Sequence, residues 1–447
     1  MTDLVSPAWC ELQYWYTLTK FGRKKPTPAM RQGTVVHKAL EEQVHKTVPI
    51  EVMTKEDGWA LRIWNVIQGL HTLRETGMTR ELEVWGVIDG EVVTGIIDML
   101  SYECPNPELD EDADAYYAAA RTFGSVHSTG TTASVPPEAG VSLSEYFTSG
   151  GGRTLSDLSV TNNESRNSSG IPPPTHRIYL TDIKTRGSRS RSIPTASSIG
   201  FRPTKLQLHL YYHLLTRLVT TDELTIDMIA ARYGLKKDSP FSDAFIAQVA
   251  SLNEDGFCNI FDPKDAPKHS TPQNDTLNFL LQHNSLSTLW VLMKQHLRAT
   301  FLPPRSSPQD EAEAPTHTLL SPLLTATYIS SASSTTATTD TPSESEPEPI
   351  AYLGSRSFFF DPSSLYPYLT SGMRFWHGRR PARGVPLYEA WKCRICEFRD
   401  ECEWRRDKEE QLGRAKSKRT EELDPDAAGE GNEEARDDAA DGKGVKE

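Results

Sequence analysis

Asp89-Gly90 limits the fold of this chain more than any other feature. Two runs with the alternation of strands, 81–88 and 91–100, flank it. A two-residue hairpin turn needs positive φ at both central positions, which Asp and Gly tolerate. An antiparallel hairpin is therefore expected, with Gly95-Ile96-Ile97-Asp98 near the end of its second strand. The apolar run from 177 to 184 resumes the sheet and closes in Thr181-Asp182-Ile183-Lys184-Thr185-Arg186. Strand side chains alternate with period two, so Asp182 and Lys184 share a face. Two strand-end carboxylates with an ammonium beside them form a site for a hard divalent cation such as Mg²⁺. That cation prefers carboxylate oxygens and keeps positions for water and phosphate. Phosphodiester hydrolysis is the chemistry that suits the group.

Helical periodicity surrounds these strands. Residues 6–16 open with Ser6 as a cap and Pro7 in the first turn, then alternate apolar residues at spacings of three and four. Residues 29–44 carry the stripe Val36, Leu40, Val44, with His37 and Glu41 one turn apart beside it. A lone helical histidine is more often a packed residue than a ligand, but Gly33-x3-His37 on a helix behind the sheet can present His37 to a metal. Helices are also expected at 59–73, 204–218 (with Gln207 and Tyr211), 221–231, 242–252, 276–297 and 363–376, and a strand at 351–360.

Three stretches do not read as folded. Residues 105–175 and 303–350 are rich in Ser, Thr, Gly and Pro, and the tail from 407 is charged. They cannot bury enough apolar surface to offset the entropy of ordering. One domain built from 1–104, 176–302 and 351–406 remains, with two inserts and a tail. The unfolded stretches are each net acidic, and together by more than the whole chain's net charge of -13, so the rest of the chain is net basic. Such a surface suits a polyanion, or is ordinary solvated charge. No run of 18 apolar residues exists, so no membrane span is expected. Residues 1–10 have neither a secretory apolar core nor the Arg-rich character of a transit peptide.

Of six cysteines, three cluster as C-x2-C-x5-C at Cys393, Cys396 and Cys402. Zinc and a 4Fe-4S cluster both accept four thiolates, and spacing alone does not choose between them. Cys10, in an aromatic-rich segment, is the best fourth ligand. The loops 186–205 and 374–383 are basic, and the second adds Phe375 and Trp376. Arginine with aromatic rings suits phosphate contact and base stacking. The candidate nucleic-acid residues are Arg186, Arg189, Arg202, Lys205, Arg374, Trp376 and Arg379.

Taken together, Ser6-Pro7-Ala8-Trp9-Cys10, Gly33-x3-His37-x2-Leu40-Glu41, Gly95-x2-Asp98, Asp182-x-Lys184-Thr185-Arg186, Gln207-x3-Tyr211 and the terminal cysteines resemble the exonuclease V family. These are single-strand DNA exonucleases of the PD-(D/E)xK superfamily, similar to RecB- and AddB-type nuclease domains. The resemblance implies an α/β, restriction-endonuclease-like core with a mixed central sheet flanked by helices. It implies a 4Fe-4S cluster on Cys10, Cys393, Cys396 and Cys402 that closes the two ends of the chain. His37, Asp98 and Asp182 are expected to hold Mg²⁺, Lys184 to orient water or stabilise developing charge, and Gln207 and Tyr211 to support the site and contact DNA. The implied activity is release of short oligonucleotides from single-stranded DNA by a monomer in replication, repair or mitochondrial genome maintenance. A single-strand-binding protein is a possible partner, and the implied location is the mitochondrion, with the nucleus as the alternative. The competing reading is a non-catalytic iron-sulfur or zinc DNA-binding subunit with a vestigial nuclease fold.

Overall fold

The computed structural model describes residues 1–23, 25–44, 48–111, 177–186, 192–251, 281–303, 318–330 and 351–423, the last four without side chains. Arg189 and most of the insert expected at 105–175 lie outside the described residues. Five strands form one mixed sheet in the order β1-β2-β3-β4-β5. They are β1 (Met78–Ile88), β2 (Glu91–Ser101), β3 (Ile178–Arg186), β4 (Leu320–Ser330) and β5 (Tyr352–Phe359). The β1–β2 hairpin turns at Asp89 and Gly90, whose φ values are 49° and 82°. β2 and β3 are antiparallel, β3 and β4 parallel, and β4 and β5 antiparallel.

β4 corrects the expectation that 303–350 lies outside the fold. It runs between β3 and β5 and is buried along nearly its whole length. A strand covered on both faces shows no alternation, and Pro322 argues against an inner strand because it has no N–H to give the ladder. The sheet accommodates it with a register shift: Ile178 pairs with Leu320, but Leu180 with Leu324, so the irregularity contains Pro322.

The helices are α1 (Glu11–Phe21), α2 (Pro28–Glu41), α3 (Lys55–Thr76), α4 (Arg202–Thr220), α5 (Ile226–Tyr233), α6 (Asp243–Ser251), α7 (Leu286–Phe301), α8 (Pro362–Trp376) and α9 (Glu403–Leu423). α3 starts in a capping box, Thr54 with Asp57, and ends at Gly77 in the left-handed region. It packs with α4 and α7 in the main core, where Ile63, Ile67, Leu208, Leu210, Met293 and Leu297 are fully covered. α2 is different, burying only Gly33 and Val36. It rests on a separate small cluster in which Val36 and Leu40 meet Ile183 and Ile329. α9 reaches through residues 407–423 of the expected tail, and none of its described side chains is buried. No described helix is long and apolar enough to cross a membrane.

The segment expected to form one helix from residue 6 is divided. Ser6–Ala8 is a 3-10 turn, and Cys10 is extended (φ -164°, ψ 116°) as the N-cap of α1. Its sulfur accepts the Gln13 N–H at 3.5 Å, which meets one of the otherwise unpaired donors of the first turn.

Candidate active site

The central strand carries the site. Asp182 and Lys184 lie on one side of β3, and Ile183 between them points the other way, against Val36 of α2. Asp182 is fully buried. The Lys184 ammonium donates to its Oδ1 at 3.1 Å and to Gln207 Oε1 at 2.9 Å. Gln207 in turn donates from Nε2 to the Tyr211 hydroxyl at 2.8 Å. Gln207 and Tyr211 lie four residues apart on one face of α4, so the helix fixes the ammonium from behind. Burial draws the Lys184 pKa down, but the charges of Asp182 and Asp98 outweigh it and leave the group above its ordinary value. The Tyr211 hydroxyl is raised by burial and then by the charge of Asp182. Gly95 makes this arrangement possible, since a Cβ there would stand 2.8 Å from the Tyr211 ring.

Asp98 accepts the Ile183 N–H on Oδ2 at 2.6 Å. Burial, followed by the nearby charge of Asp182, pushes its pKa up to about 7. Such a carboxyl is held in wait for a cation. His37 reaches over from α2, with Nε2 3.1 Å from the Ile183 carbonyl, Nδ1 3.2 Å from Glu81 Oε1 and 3.9 Å from Asp98 Oδ1. When Nε2 donates to the carbonyl, the Nδ1 lone pair faces the two carboxylates, the usual tautomer control of a metal-ligating histidine. Glu81, then burial acting the other way, then Asp98 set the His37 pKa, and the net shift is upward.

Glu81 is the residue sequence reasoning missed. His37, Glu81 and Asp98 each offer a ligand atom within 4.8 Å of the others. Asp182 is not in this trio and stands beside it. Its Oδ2 is 2.8 Å from the Lys184 ammonium but accepts no aligned hydrogen bond, so a buried oxygen is left for a further partner. The trio's donors, two carboxylate oxygens and an imidazole, fit a divalent cation. The hairpin carried the missing signal. A two-residue turn at 89–90 sets the pairs Arg80–Met99 and Leu82–Ile97, so Glu81 lies opposite Asp98.

The four expected thiols also meet. Cys10, Cys393, Cys396 and Cys402 line one cavity with Trp9, Tyr16, Phe398 and Trp404. Burial raises the thiol pKa of Cys10 and Cys393, each raised further by neighbouring sulfurs. Four thiols lining one cavity fit either a zinc ion or a 4Fe-4S cluster.

The expected nucleic-acid contacts divide. Arg374 and Arg379 are exposed, Arg379 being 4.0 Å from the Asp89 carboxylate. Arg186 lies over the Tyr328 ring and Lys205 over Phe358. Arg202 instead donates to buried Glu389 at 2.6 Å, and the Trp376 indole donates to the Asp3 carbonyl at 3.2 Å. Both are occupied in joining the chain's ends to its body. A groove of about 1110 Å³ opens beside Gln207 and Tyr211, walled by Val92–Ile96 of β2 and by Tyr233 and Trp376.

Residues 1–405 match the family model described as Exonuclease V, a 5′ deoxyribonuclease. Zebrafish (Danio rerio) exonuclease V is 32% identical over 105 residues, 23% of this chain and 27% of that protein. Mitochondrial exonuclease V of Komagataella phaffii is 32% identical over 101 residues, 20% of this chain and 19% of that protein. The aligned stretches thus span about a quarter and a fifth of those relatives. With nine-tenths of its length under the family model, the chain belongs to the exonuclease V family.

Proposed function

We propose that the chain is a Mg²⁺-dependent exodeoxyribonuclease that acts on single-stranded DNA through a PD-(D/E)xK-type site and carries a 4Fe-4S cluster on Cys10, Cys393, Cys396 and Cys402. The observation that carries this reading is the trio His37, Glu81 and Asp98 standing beside the Asp182–Lys184 pair. The trio and the Asp182 carboxylate would hold Mg²⁺, which would supply a polarised phosphoryl oxygen and an acidified water. Lys184, kept protonated by its two carboxylate neighbours, neutralises the charge that grows on the phosphate oxygens. Gln207 and Tyr211 keep that ammonium in one direction, and the groove beside them takes the strand. The four thiols lining one cavity support a shared metal group there. The name of the Komagataella relative supports a mitochondrial location.

An end-labelled single strand incubated with wild type and Asp182→Ala tests the reading. Wild type should release short products only with Mg²⁺ present. Asp182→Ala should lose at least about 10²-fold in rate, the scale of removing one electrostatic group from a preorganised site, while still binding DNA. Normal cleavage by Asp182→Ala, or cleavage undiminished in chelator, overturns it.

A further inference from the structure

The segment Leu387–Ile395 is a 3-10 helix, and its period divides its side chains by function. With three residues per turn, positions three apart stand in one column about 6 Å apart. The inner column begins with Glu389 and Lys392, 1% and 2% exposed, and ends at Ile395, which is 72% exposed. The Lys392 ammonium donates to Glu389 at 2.7 Å and to the Trp9 carbonyl at 2.9 Å, and Glu389 also holds Arg202. The outer column is Tyr388, Trp391 and Arg394. Tyr388 is 72% and Trp391 45% exposed, and Arg394 is exposed as well. Trp391 meets the Trp9 ring edge to face, which fixes the indole without covering it. The Arg394 guanidinium has no hydrogen bond or ion pair among the described residues.

We propose that this outer column is a second contact surface for single-stranded DNA, on which bases stack against Tyr388 and Trp391 while Arg394 meets a phosphate. The proposal rests on the single-strand reading above and names where the strand is held away from the scissile bond. Charge favours a nucleic acid over an apolar partner. Between Arg379 and Cys396 the exposed bases are Arg379, Arg383 and Arg394, while Arg380 holds Glu11, Lys392 is buried, and the one acid, Glu389, is buried and paired with Lys392 and Arg202. Two rings and a free guanidinium in line combine stacking with phosphate contact without reading sequence. Position agrees as well. The inner column grips Arg202 at the start of α4, and Gln207 lies five residues on, roughly 7.5 Å along that helix. A cavity of about 420 Å³ lies against the same segment, with Tyr388 and Arg383 among its walls.

The test uses full-length protein in chelator, so that binding is read without cleavage. Oligodeoxythymidylates of about 6 and about 30 nucleotides, bracketing single-module footprints, are titrated against wild type, Tyr388→Ala and Arg394→Ala. Neither side chain has a protein partner among the described residues, so both variants should fold, as melting curves will show. The Kd of the long strand should rise roughly tenfold for Tyr388→Ala, the scale of one lost stacking contact, and severalfold for Arg394→Ala, which loses a phosphate contact, and that of the short strand less than about twofold for either. Unchanged affinity for the long strand overturns the proposal, as does a uniform loss at both lengths. Should the variants instead alter self-association in sedimentation at unchanged DNA affinity, the column is a protein interface and the proposal fails. Cleavage of either strand by wild type in Mg²⁺ is scored separately, so failure of the nuclease reading is distinguishable from failure of the column.

Discussion

Glu81 holds a backbone conformation that a bulky residue normally avoids, with φ at 52°. A non-glycine residue in that region costs on the order of 1–3 kcal/mol and persists where the surroundings demand it. Here it turns a carboxylate toward His37 and Asp98. Glu81→Gln keeps the shape and removes the charge. Calorimetric titration should show Mg²⁺ binding weakened about 10- to 100-fold with little change in melting temperature, and unchanged affinity would remove Glu81 from the site. Gly95 is the complementary case, where the missing side chain matters. In Gly95→Ala the new methyl displaces the Tyr211 ring, and with it the support of Gln207 and Lys184. The cleavage rate should fall about tenfold or more, since small displacements at a reacting centre are costly, while the fold survives. Retained activity would show that the Tyr211 chain does not position Lys184. At this scale Asp98, Asp182 and Lys184 were legible because strand alternation fixes their direction. Glu81 could be read only through the hairpin register that sets it opposite Asp98, and its final direction depends on a local backbone twist that propensity does not report.

Elements were legible where they alternate or show helical period. β1, β2, β3, α2, α3, α4 and α8 fall near where the patterns put them, whereas β4 and α9 do not. β4 is an inner strand with a proline at a register shift, set among Ser and Thr residues. α9 has the opposite defect, a sequence too polar to signal a buried face. It is supported by pairs at i and i+4, Arg405 with Glu409 at 2.6 Å and Arg414 with Glu410. Such pairs contribute about 0.2–0.5 kcal/mol each. At its start Trp404 lies over Gly384, and Arg405 donates to the Arg399 carbonyl at 3.1 Å. A chain ending after residue 410 should therefore keep the wild-type melting temperature within a few degrees and lose helical circular dichroism only in proportion to its shortening. A large drop would mean that the outer turns of α9 pack on something. α2 is the other loosely seated element, and it delivers His37 through one small cluster and two hydrogen bonds.

Across the whole molecule the two ends are drawn together by more than the thiols. Arg380 grips Glu11 at 2.5 and 2.6 Å, Lys392 holds the Trp9 carbonyl, and Tyr368 donates to the Leu4 carbonyl at 2.6 Å. The cohesion of this body should depend on pH in a definite direction. Burial, aided by Lys205, Arg217 and Arg74 respectively, depresses the pKa of His209, His213 and His296 from 6.5 to about 4. Between pH 6.5 and 4 the unfolded chain binds a proton at each of these histidines and the folded chain does not. Folding stability therefore falls as pH drops through that window. Asp98 opposes this by one proton, because its folded pKa of about 7 lies above its ordinary 3.8. The net excess is about two protons, each worth on the order of 1.4 kcal/mol per pH unit. Denaturant midpoints measured in chelator should decrease steadily from pH 6.5 to 4.5. His209→Gln removes one titrating group from a pocket where the ring contacts Phe358 and Phe360. Its stability should start lower at pH 7 and fall with a slope shallower by about one proton. Parallel slopes would show that the buried imidazoles are not what makes the folded chain sensitive to acid.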